Sequence, residues 1–184
     1  CIFLFQYAAA KVFLDNGLRA DVLIGHSVGE YVAAALAEVL TFKDALKLLI
    51  KRAQLMSKLT PAKMLVVSGS KEEIEKYLVE GQEISCINTP KSLVIGSSIE
   101  KIDLLKNRLS ENSIASLDLA TSHAFHTSLV DPILNEFATI IDKVEFKKAK
   151  TKIVSSVRSD IEIFDGKYFV NQLRQAVNFN EAVR

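Results

Sequence analysis

Apolar positions along the first third of the chain change from a helical period to short continuous runs. Between residues 2 and 16 they recur at helical spacing, and Gly17 follows, where a helix end favours a residue of positive φ. The run 20–25 is short, apolar and ends in glycine, which is typical of a buried parallel strand. The pattern predicts helices over 2–16, 28–40 and 41–58, with the strand 20–25 between the first two. Elements in this order indicate an α/β domain.

The middle of the chain carries shorter apolar runs separated by turn residues. They predict strands over 64–68, 84–88, 92–95 and 114–119, and helices over 71–79 and 99–110. The order β-α-β-β-α-β is that of a ferredoxin-like unit. We therefore predict an inserted ferredoxin-like subdomain over 62–120, within a parallel-sheet, hydrolase-like α/β core made of 1–61 and 121–184. After the insert, the pattern predicts a helix over 129–144, a strand over 152–157 and a mostly helical end over 168–183.

Composition narrows the class of protein. The 184 residues are 49% hydrophobic and 24% charged, which excludes low-complexity disorder. The net charge of +1 offers no overall basic field for nucleic acid or anionic lipid, and no apolar run approaches the ~18 residues of a membrane span. Two cysteines, Cys1 and Cys86, cannot form a disulfide framework, so the composition predicts a cytoplasmic protein.

The strongest chemical signal is the segment Gly25–Glu30, which has the sequence GHSVGE. A serine with glycine at both second neighbours, between a strand and a helix, is the pattern of a nucleophile elbow. The glycines matter because the turn is tight, and the following helix start leaves the N–H of Val28 free to bind an oxyanion. The simpler interpretation is an ordinary strand-to-helix turn with a small residue, but the predicted context favours Ser27 as a nucleophile.

A serine nucleophile needs a base, and the chain has three histidines. His26 adjoins Ser27 and is expected to point away from it. His123 and His126 lie in a predicted loop, where catalytic groups often sit, although a pair of surface histidines is the simpler interpretation. A metal site at this pair would need a third ligand, and none is evident in the sequence, so no metal is predicted.

No aspartate is placed by sequence as a third member of a triad. Asp118 and Asp131 are candidates only because they are near the histidine loop in sequence, and Asp103 falls in a predicted helix. A Ser–His dyad with a backbone carbonyl that orients the imidazole would be sufficient.

Arg52 is the third chemical feature. It lies on the second helix after Ser27, among apolar residues. An arginine beside an apolar face is usually a side chain that extends its charge into solvent. It is also the residue that holds a carboxylate through two parallel hydrogen bonds. Sequence spacing does not choose between these roles.

Five separated blocks resemble, in order, the acyltransferase domain of modular type I polyketide synthases and the related malonyl-CoA:acyl carrier protein transacylases. The likeness extends over nearly the whole chain, and the blocks together are highly specific although each alone is weak. The blocks are GHSVGEY at 25–31, RAQLM at 52–56, NTP with VIGS between 88 and 97, HAFH at 123–126, and YF…QL…VNF between 168 and 179.

The resemblance implies a role for each matched residue. Ser27 would be the nucleophile and His126 its general base. Arg52 would bind the free carboxylate of a malonyl group, and the N–H of Val28 would be an oxyanion donor. The region of Gln172 would supply the carbonyl group that orients His126.

The HAFH loop carries the implied choice of acyl group. His123 and Phe125 would shape the pocket around the carbon between the two carbonyl groups. Family members selective for methylmalonyl typically carry YASH here, and the bulk of Phe125 leaves less room for an added methyl group. A pocket discriminates one methylene by only about 1–3 kcal/mol, so the implied selectivity is incomplete.

The resemblance thus implies transfer of a malonyl extender from malonyl-CoA, through a Ser27 ester, to the phosphopantetheine thiol of an acyl carrier protein, in polyketide or fatty acid synthesis. No bound cofactor is implied. The implied partners are the carrier protein and adjacent synthase domains. A serine acyl hydrolase, which would not need Arg52, is the alternative among enzymes.

Two departures from the family pattern stand out, and the first bears on activity. Family domains begin upstream with a strand and a glutamine-containing loop that gives the second oxyanion donor, so the resemblance predicts a core truncated at its N-terminus. Loss of one such donor costs roughly 100- to 1000-fold in rate, which leaves a non-catalytic fragment of a synthase as a further alternative. Ala176 stands where the family usually has proline.

Overall fold

The computed structural model describes residues 2–158 and 160–184. Its helices are α1 (Ile2–Asp15), α2 (Gly29–Leu36), α3 (Phe42–Met56), α4 (Lys71–Ile74), α5 (Ile99–Glu111), α6 (Asp131–Ile141), α7 (Gly166–Arg174) and α8 (Phe179–Ala182). Its strands are β1 (Val22–Ile24), β2 (Lys63–Ser68), β3 (Glu83–Thr89), β4 (Ser92–Ser97), β5 (Ser116–Asp118) and β6 (Lys152–Val154). Cys1 lies outside the described residues.

Two parallel strands lie at the centre of the larger layer. β1 pairs with β6 in parallel, with Leu23 opposite Ile153. Helices α2, α3, α6 and α7 pack together beside this sheet and bury large side chains, among them Tyr31, Leu48, Phe137 and Phe169. The carboxyl ends of parallel strands meet at one edge of a sheet, so the segments after Ile24 and Val154 are brought together there.

The second sheet has four antiparallel strands in the order β3-β4-β2-β5. Alternate residues of β2 and β4 face α5 and form a separate core with it, which includes Leu65, Val67, Leu93, Ile95 and Leu105. The β-α-β-β-α-β order predicted from the pattern is therefore present in the structure. The boundary of the subdomain at 62–120 stays a prediction.

Several predicted elements are shorter in the structure than the pattern indicates. The helix predicted over 28–40 ends at Leu36. The helix predicted over 71–79 is α4 followed by a 3-10 turn at Glu75–Tyr77. The strand predicted over 152–157 ends at Val154, because the side chain of Ser155 accepts hydrogen bonds from the N–H groups of Val157 and Arg158 and forms a turn.

The helical end predicted over 168–183 is interrupted between α7 and α8. There Val177 donates its N–H to the carbonyl of Ser85, and its own carbonyl accepts from Ile87, so it runs beside β3. Backbone pairing with a distant strand overrides the local helical preference at this point. The part of the chain that the structure describes contains no helix long and apolar enough to cross a membrane.

Candidate active site

Ser27 stands at the turn between β1 and α2. Its φ of +52° is in the left-handed region, which non-glycine residues seldom adopt outside strained functional turns. Gly25 makes this turn possible, because a Cβ on it would lie 2.1 Å from the carbonyl carbon of Gly29. A Cβ on Gly29 itself would meet no described atom within 4 Å, so the steric reason expected for both glycines holds only for Gly25.

His126 lies in a loop that is also held in the left-handed region, with φ of +58°. Its side chain is 3% exposed. The loop approaches β4 closely at Gly96, where a Cβ would lie 2.7 Å from Cγ2 of Thr127 and 3.0 Å from Cβ of Ala124. The glycine of the VIGS block is therefore needed for the packing of the histidine loop on the four-stranded sheet.

The two strained residues meet each other. The Oγ of Ser27 lies 2.7 Å from Nε2 of His126. The Nδ1 of the same ring lies 3.0 Å from two carbonyl oxygens, those of Gln172 and Gln175. Because carbonyl groups only accept, Nδ1 carries the hydrogen and donates it, and Nε2 accepts from the serine hydroxyl. This is the geometry of a nucleophile with its base already oriented.

Burial and the positive charge of Arg52 lower the pKa of His126 to about 3. The hydrogen bonds from Nδ1 to the carbonyl groups of Gln172 and Gln175 favour the protonated ring and oppose this shift, but burial has the larger effect. The imidazole is therefore neutral near pH 7. The neutral ring is the form that can accept a proton from Ser27.

Arg52 enters the site from α3 and is 4% exposed. Its Nη2 lies 3.5 Å from the Oγ of Ser27, and its guanidinium carbon lies 5.9 Å from the centre of the Tyr31 ring. Within residues 2–158 and 160–184, the buried Nη1 has no hydrogen-bond partner. A buried donor of a cation without a partner is costly, so Nη1 is available to a bound anion.

Six buried polar side-chain atoms have no hydrogen-bond partner among the described residues, and three of them belong to Arg52 and to residues that contact Arg52 or Ser27. Besides Nη1 of Arg52, the hydroxyl of Tyr31 and the Oε1 of Gln172 have no hydrogen-bond partner among the described residues. Buried polar groups in folded proteins are nearly always paired with protein or water, so these three atoms are available to a bound molecule. Burial raises the pKa of Tyr31 to about 12, so its hydroxyl stays protonated and can donate.

The two predicted pocket residues, His123 and Phe125, lie in the same loop as His126. The ring of His123 donates from Nε2 to the carbonyl of Leu59 and accepts at Nδ1 from the hydroxyl of Ser122. The ring centre of Phe125 lies 6.4 Å from that of His123, and its backbone carbonyl accepts from Ser85. No hydrogen bond joins His123 to the dyad in the described part of the chain.

The remaining histidine faces away from the dyad, as predicted. The Nε2 of His26 lies 2.8 Å from Oδ1 of Asn88, and its ring packs near Phe179. This contact joins the elbow to β3. Among the described residues, the N–H of Val28 donates no hydrogen bond, so it is free at the N-terminus of α2 as the oxyanion role requires.

The candidate aspartates lie elsewhere. Asp118 pairs with Lys106, and Asp103 pairs with Lys63. Asp131 pairs with Arg174. Carbonyl oxygens instead orient His126, and sequence reasoning anticipated the one from Gln172 only through the family resemblance. Nothing in the local sequence indicates the second one, from Gln175, because it depends on where α7 ends in space.

Sequence reasoning also missed Glu30, which is completely buried. Its carboxylate accepts from the N–H of Ser156 at 2.6 Å and from the hydroxyl of Tyr168 at 2.7 Å. Its place in the GHSVGE segment was the available signal. No group of three or more His, Cys, Asp or Glu side chains that could hold a metal occurs in residues 2–158 and 160–184.

Comparison with known proteins identifies the family. The family described as the acyl transferase domain matches residues 1–184. The phenolphthiocerol synthesis polyketide synthase type I of Mycobacterium marinum is 36% identical over 174 residues, covering 91% of this chain and 8% of that synthase. The chain therefore spans about a tenth of the length of the curated relatives it matches.

Solved structures give the same fold. The acyltransferase domain from the second module of the salinomycin polyketide synthase superposes with a TM-score of 0.91 at 30% identity, covering 96% of this chain and 43% of that one. A type II polyketide synthase acyl-carrier protein in complex with its malonyl-transacylase gives a TM-score of 0.86 at 27% identity, covering 94% and 60%. The expected α/β fold is confirmed. The chain belongs to the acyl transferase family, in the group of polyketide synthase acyltransferase domains and malonyl transacylases.

Proposed function

We propose that the chain transfers a malonyl group from malonyl-CoA to the phosphopantetheine thiol of an acyl carrier protein, through an ester on Ser27. The observation that carries the proposal is the buried, unpaired Nη1 of Arg52 beside a Ser–His pair. A hydrolase of simple esters has no use for such a cation. In an acyltransferase whose acyl group ends in a carboxylate, the cation would bind that carboxylate.

Acylation follows from the dyad. The Oγ of Ser27 attacks the thioester carbonyl carbon while its proton passes to Nε2 of His126. The carbonyl oxygen becomes an oxyanion and accepts from the N–H of Val28 at the start of α2. The carbon–sulfur bond then breaks, the coenzyme A sulfur takes the proton from Nε2, and the malonyl group remains as a serine ester.

Transfer reverses these steps with a new thiol. The phosphopantetheine thiol gives its proton to Nε2 of His126 and its sulfur attacks the ester carbon. The carbon–oxygen bond to Ser27 breaks, and Oγ recovers the proton. The carbonyl groups of Gln172 and Gln175 keep the ring oriented in both halves of the reaction.

Selection of the acyl group rests on three side chains. Arg52 holds the terminal carboxylate of malonate. His123 and Phe125 line the space around the carbon between the two carbonyl groups, and Phe125 disfavours a methyl branch there. A single methyl group is worth about 1–3 kcal/mol, so methylmalonyl is a poor but detectable substrate.

The proposed partners follow from the reaction. An acyl carrier protein delivers the acceptor thiol, and adjacent domains of a synthase surround the unit. The malonyl-transacylase that resembles this chain is described in complex with its acyl-carrier protein, which supports this assignment. The proposed location is the cytoplasm, in line with the low cysteine content of the sequence.

Intact-protein mass spectrometry tests the proposal. The protein and its Ser27→Ala variant are mixed briefly with malonyl-CoA, methylmalonyl-CoA or acetyl-CoA. We expect a malonyl adduct on the wild type that is absent from Ser27→Ala, with less methylmalonyl adduct. Steady release of coenzyme A without an adduct would instead support a serine acyl hydrolase. Neither adduct nor release would contradict both enzymatic functions.

A further inference from the structure

Glu30 is a buried carboxylate that the acyl transfer steps do not use. It lies on α2, three residues after Ser27, and its N–H donates to the carbonyl of Ser27 at 3.1 Å. Its two side-chain oxygens reach two other segments. One accepts from the N–H of Ser156, in the turn after β6, and the other accepts from the hydroxyl of Tyr168 on α7. Glu30 therefore connects the nucleophile helix to both the sheet edge and α7.

Tyr168 and Gln172 lie one turn apart on α7 and share a face of that helix. Gln172 makes both contacts that α7 contributes to the dyad. Its side-chain amide donates to the carbonyl of Ser27 at 3.0 Å, and its backbone carbonyl accepts from Nδ1 of His126 at 3.0 Å. A shift of α7 along its axis would change both contacts.

The turn at Ser156, after β6, also anchors the segment that follows α7. The carbonyl of Ser156 accepts from the N–H of Asn178 at 2.5 Å. Gln175, whose carbonyl is the second acceptor for His126, lies between this attachment and the end of α7. The Ser156 turn thus fixes α7 through Glu30 and Tyr168 at one end, and fixes the segment after it at the other.

The hydrogen-bond directions in this network require a carboxylate at position 30. The hydroxyl of Ser155 accepts from two backbone N–H groups, so its own hydrogen is directed to the oxygen of Tyr168. The hydrogen of Tyr168 is then directed to Glu30. Only a group that accepts on both oxygens can receive from Tyr168 and from the N–H of Ser156 together. An amide would place a donor opposite one of them.

We propose that Glu30 is a positioning residue for the base. Through Tyr168 and the Ser156 turn, Glu30 fixes the position of α7, so that the carbonyl groups of Gln172 and Gln175 direct Nε2 of His126 at Ser27. The proposal rests on the proposed function only in that Ser27 and His126 form the reactive pair. Glu30 itself touches neither His126 nor the acyl group. A change at Glu30 is therefore expected to lower the rate of the chemical step and to leave the affinity for the acyl donor unchanged.

The test uses Tyr168→Phe and Glu30→Gln in the full protein chain. Tyr168→Phe removes the hydroxyl with its two hydrogen bonds, to Glu30 and Ser155, and keeps the ring, while Glu30→Gln reverses a donor and an acceptor. Ile141→Val is the matched control, because Ile141 is completely buried in the same core on α6 and has no polar side-chain atom that could join the hydrogen-bond network. Melting temperature measures the structural effect of each variant.

The main readout is the rate at which a fluorophosphonate labels Ser27. This reagent needs the base, because Oγ bonds to phosphorus, fluoride leaves and the serine proton passes to His126, but it does not need Arg52. We expect labelling to slow by about 10- to 100-fold in Tyr168→Phe and Glu30→Gln and to change less than twofold in Ile141→Val. With malonyl-CoA, kcat of Tyr168→Phe should fall by a similar factor while KM stays within twofold.

Labelling of Tyr168→Phe within twofold of the wild type, in a protein as stable as Ile141→Val, overturns the proposal even if Glu30→Gln does not fold. A wild type that reacts with the fluorophosphonate but not with malonyl-CoA contradicts the proposed function and leaves the test of Glu30 intact. A wild type that reacts no faster than Ser27→Ala with the fluorophosphonate contradicts both.

Discussion

At the scale of single residues, the surroundings of His126 decide its chemistry. An exposed imidazole titrates near pH 6.5, where half of the molecules could not act as a base. Burial and the neighbouring Arg52 lower the pKa of His126 to about 3, so the ring is neutral near pH 7. The guanidinium that is proposed to bind the acyl group therefore also keeps the base unprotonated.

This shift predicts how stability depends on pH. In the unfolded chain the ring binds a proton below about pH 6.5, whereas in the folded protein it does so only near pH 3. Between these values the unfolded state holds more protons, so the contribution of His126 is full above about pH 6.5 and is lost as the pH falls. Denaturant unfolding of His126→Gln between pH 5 and 8 should show a smaller loss of stability on acidification than the wild type.

The control for this measurement is His26→Gln, which removes an exposed histidine bonded to Asn88. Its pH slope is the reference for removing one histidine from the chain. Equal slopes for the wild type and His126→Gln would mean that the buried ring does not behave as its surroundings indicate.

Arg52 makes a second prediction at this scale. In Arg52→Ala the site loses its only described cation next to Ser27, so malonyl transfer should fall by at least about 100-fold. Acetyl transfer, which presents no carboxylate, should fall much less. Acylation rates with malonyl-CoA and acetyl-CoA check this. An equal loss for the two donors would show that Arg52 acts through structure and not through the carboxylate.

At the scale of elements, the elbow between β1 and α2 was predictable because its chemistry is local. A turn this tight selects its residues by steric contact, and Gly25 is the residue that the contact requires. The starts of α3 and α5 also depend on local contacts. Thr41 and Ser98 are their N-cap residues, and their side chains accept hydrogen bonds from the N–H groups of Asp44 and Lys101.

The two glycines of the elbow are a matched pair for experiment. Gly25→Ala places a Cβ against the backbone of Gly29 and should lower the free energy of unfolding by about 1–3 kcal/mol or more, with loss of Ser27 acylation. Gly29→Ala meets no described atom within 4 Å and puts a better helix former at the start of α2, so stability should be kept. Urea unfolding and acylation of both variants check this, and similar losses in both would contradict the steric argument.

At the scale of the whole molecule, Arg174 joins parts of the chain that are far apart in sequence. From the end of α7 it pairs with Glu83 at 3.2 Å, on β3, and with Asp131 at 2.6 Å, at the start of α6. Glu83 also accepts from the N–H of Ser128. These contacts hold the four-stranded sheet against the helices that position His126.

Arg174→Met should therefore lower the free energy of unfolding more than removal of an ordinary surface pair. We expect a loss of about 1–3 kcal/mol, because two carboxylates lose a partly buried partner. Lys63→Met breaks the more exposed pair with Asp103 and should cost less than about 1 kcal/mol. Urea unfolding of both variants measures these changes in the free energy of unfolding. Equal losses would show that the Arg174 contacts do not stabilise the packing of the four-stranded sheet against α6 and α7.

The ends of two elements and the role of the Gln175 carbonyl could not be predicted from the local sequence. The end of the helical segment after Arg174 depends on Val177 pairing with β3, and the β6 strand stops where Ser155 turns the backbone. Local propensity carries no information about a distant strand that competes for the same N–H group. For the same reason, the acceptor role of the Gln175 carbonyl has no local signal.

By itself, the sequence determined the α/β class, the β-α-β-β-α-β order of the middle, and the elbow that carries Ser27, because periodicity, caps and tight turns depend on near neighbours. The tertiary structure alone decided that His126 meets Ser27, that two carbonyl groups orient the ring, and that Nη1 of Arg52 has no partner among the described residues. These contacts join residues far apart along the chain. Their energies come from burial and from the absence of competing water, which no local pattern records.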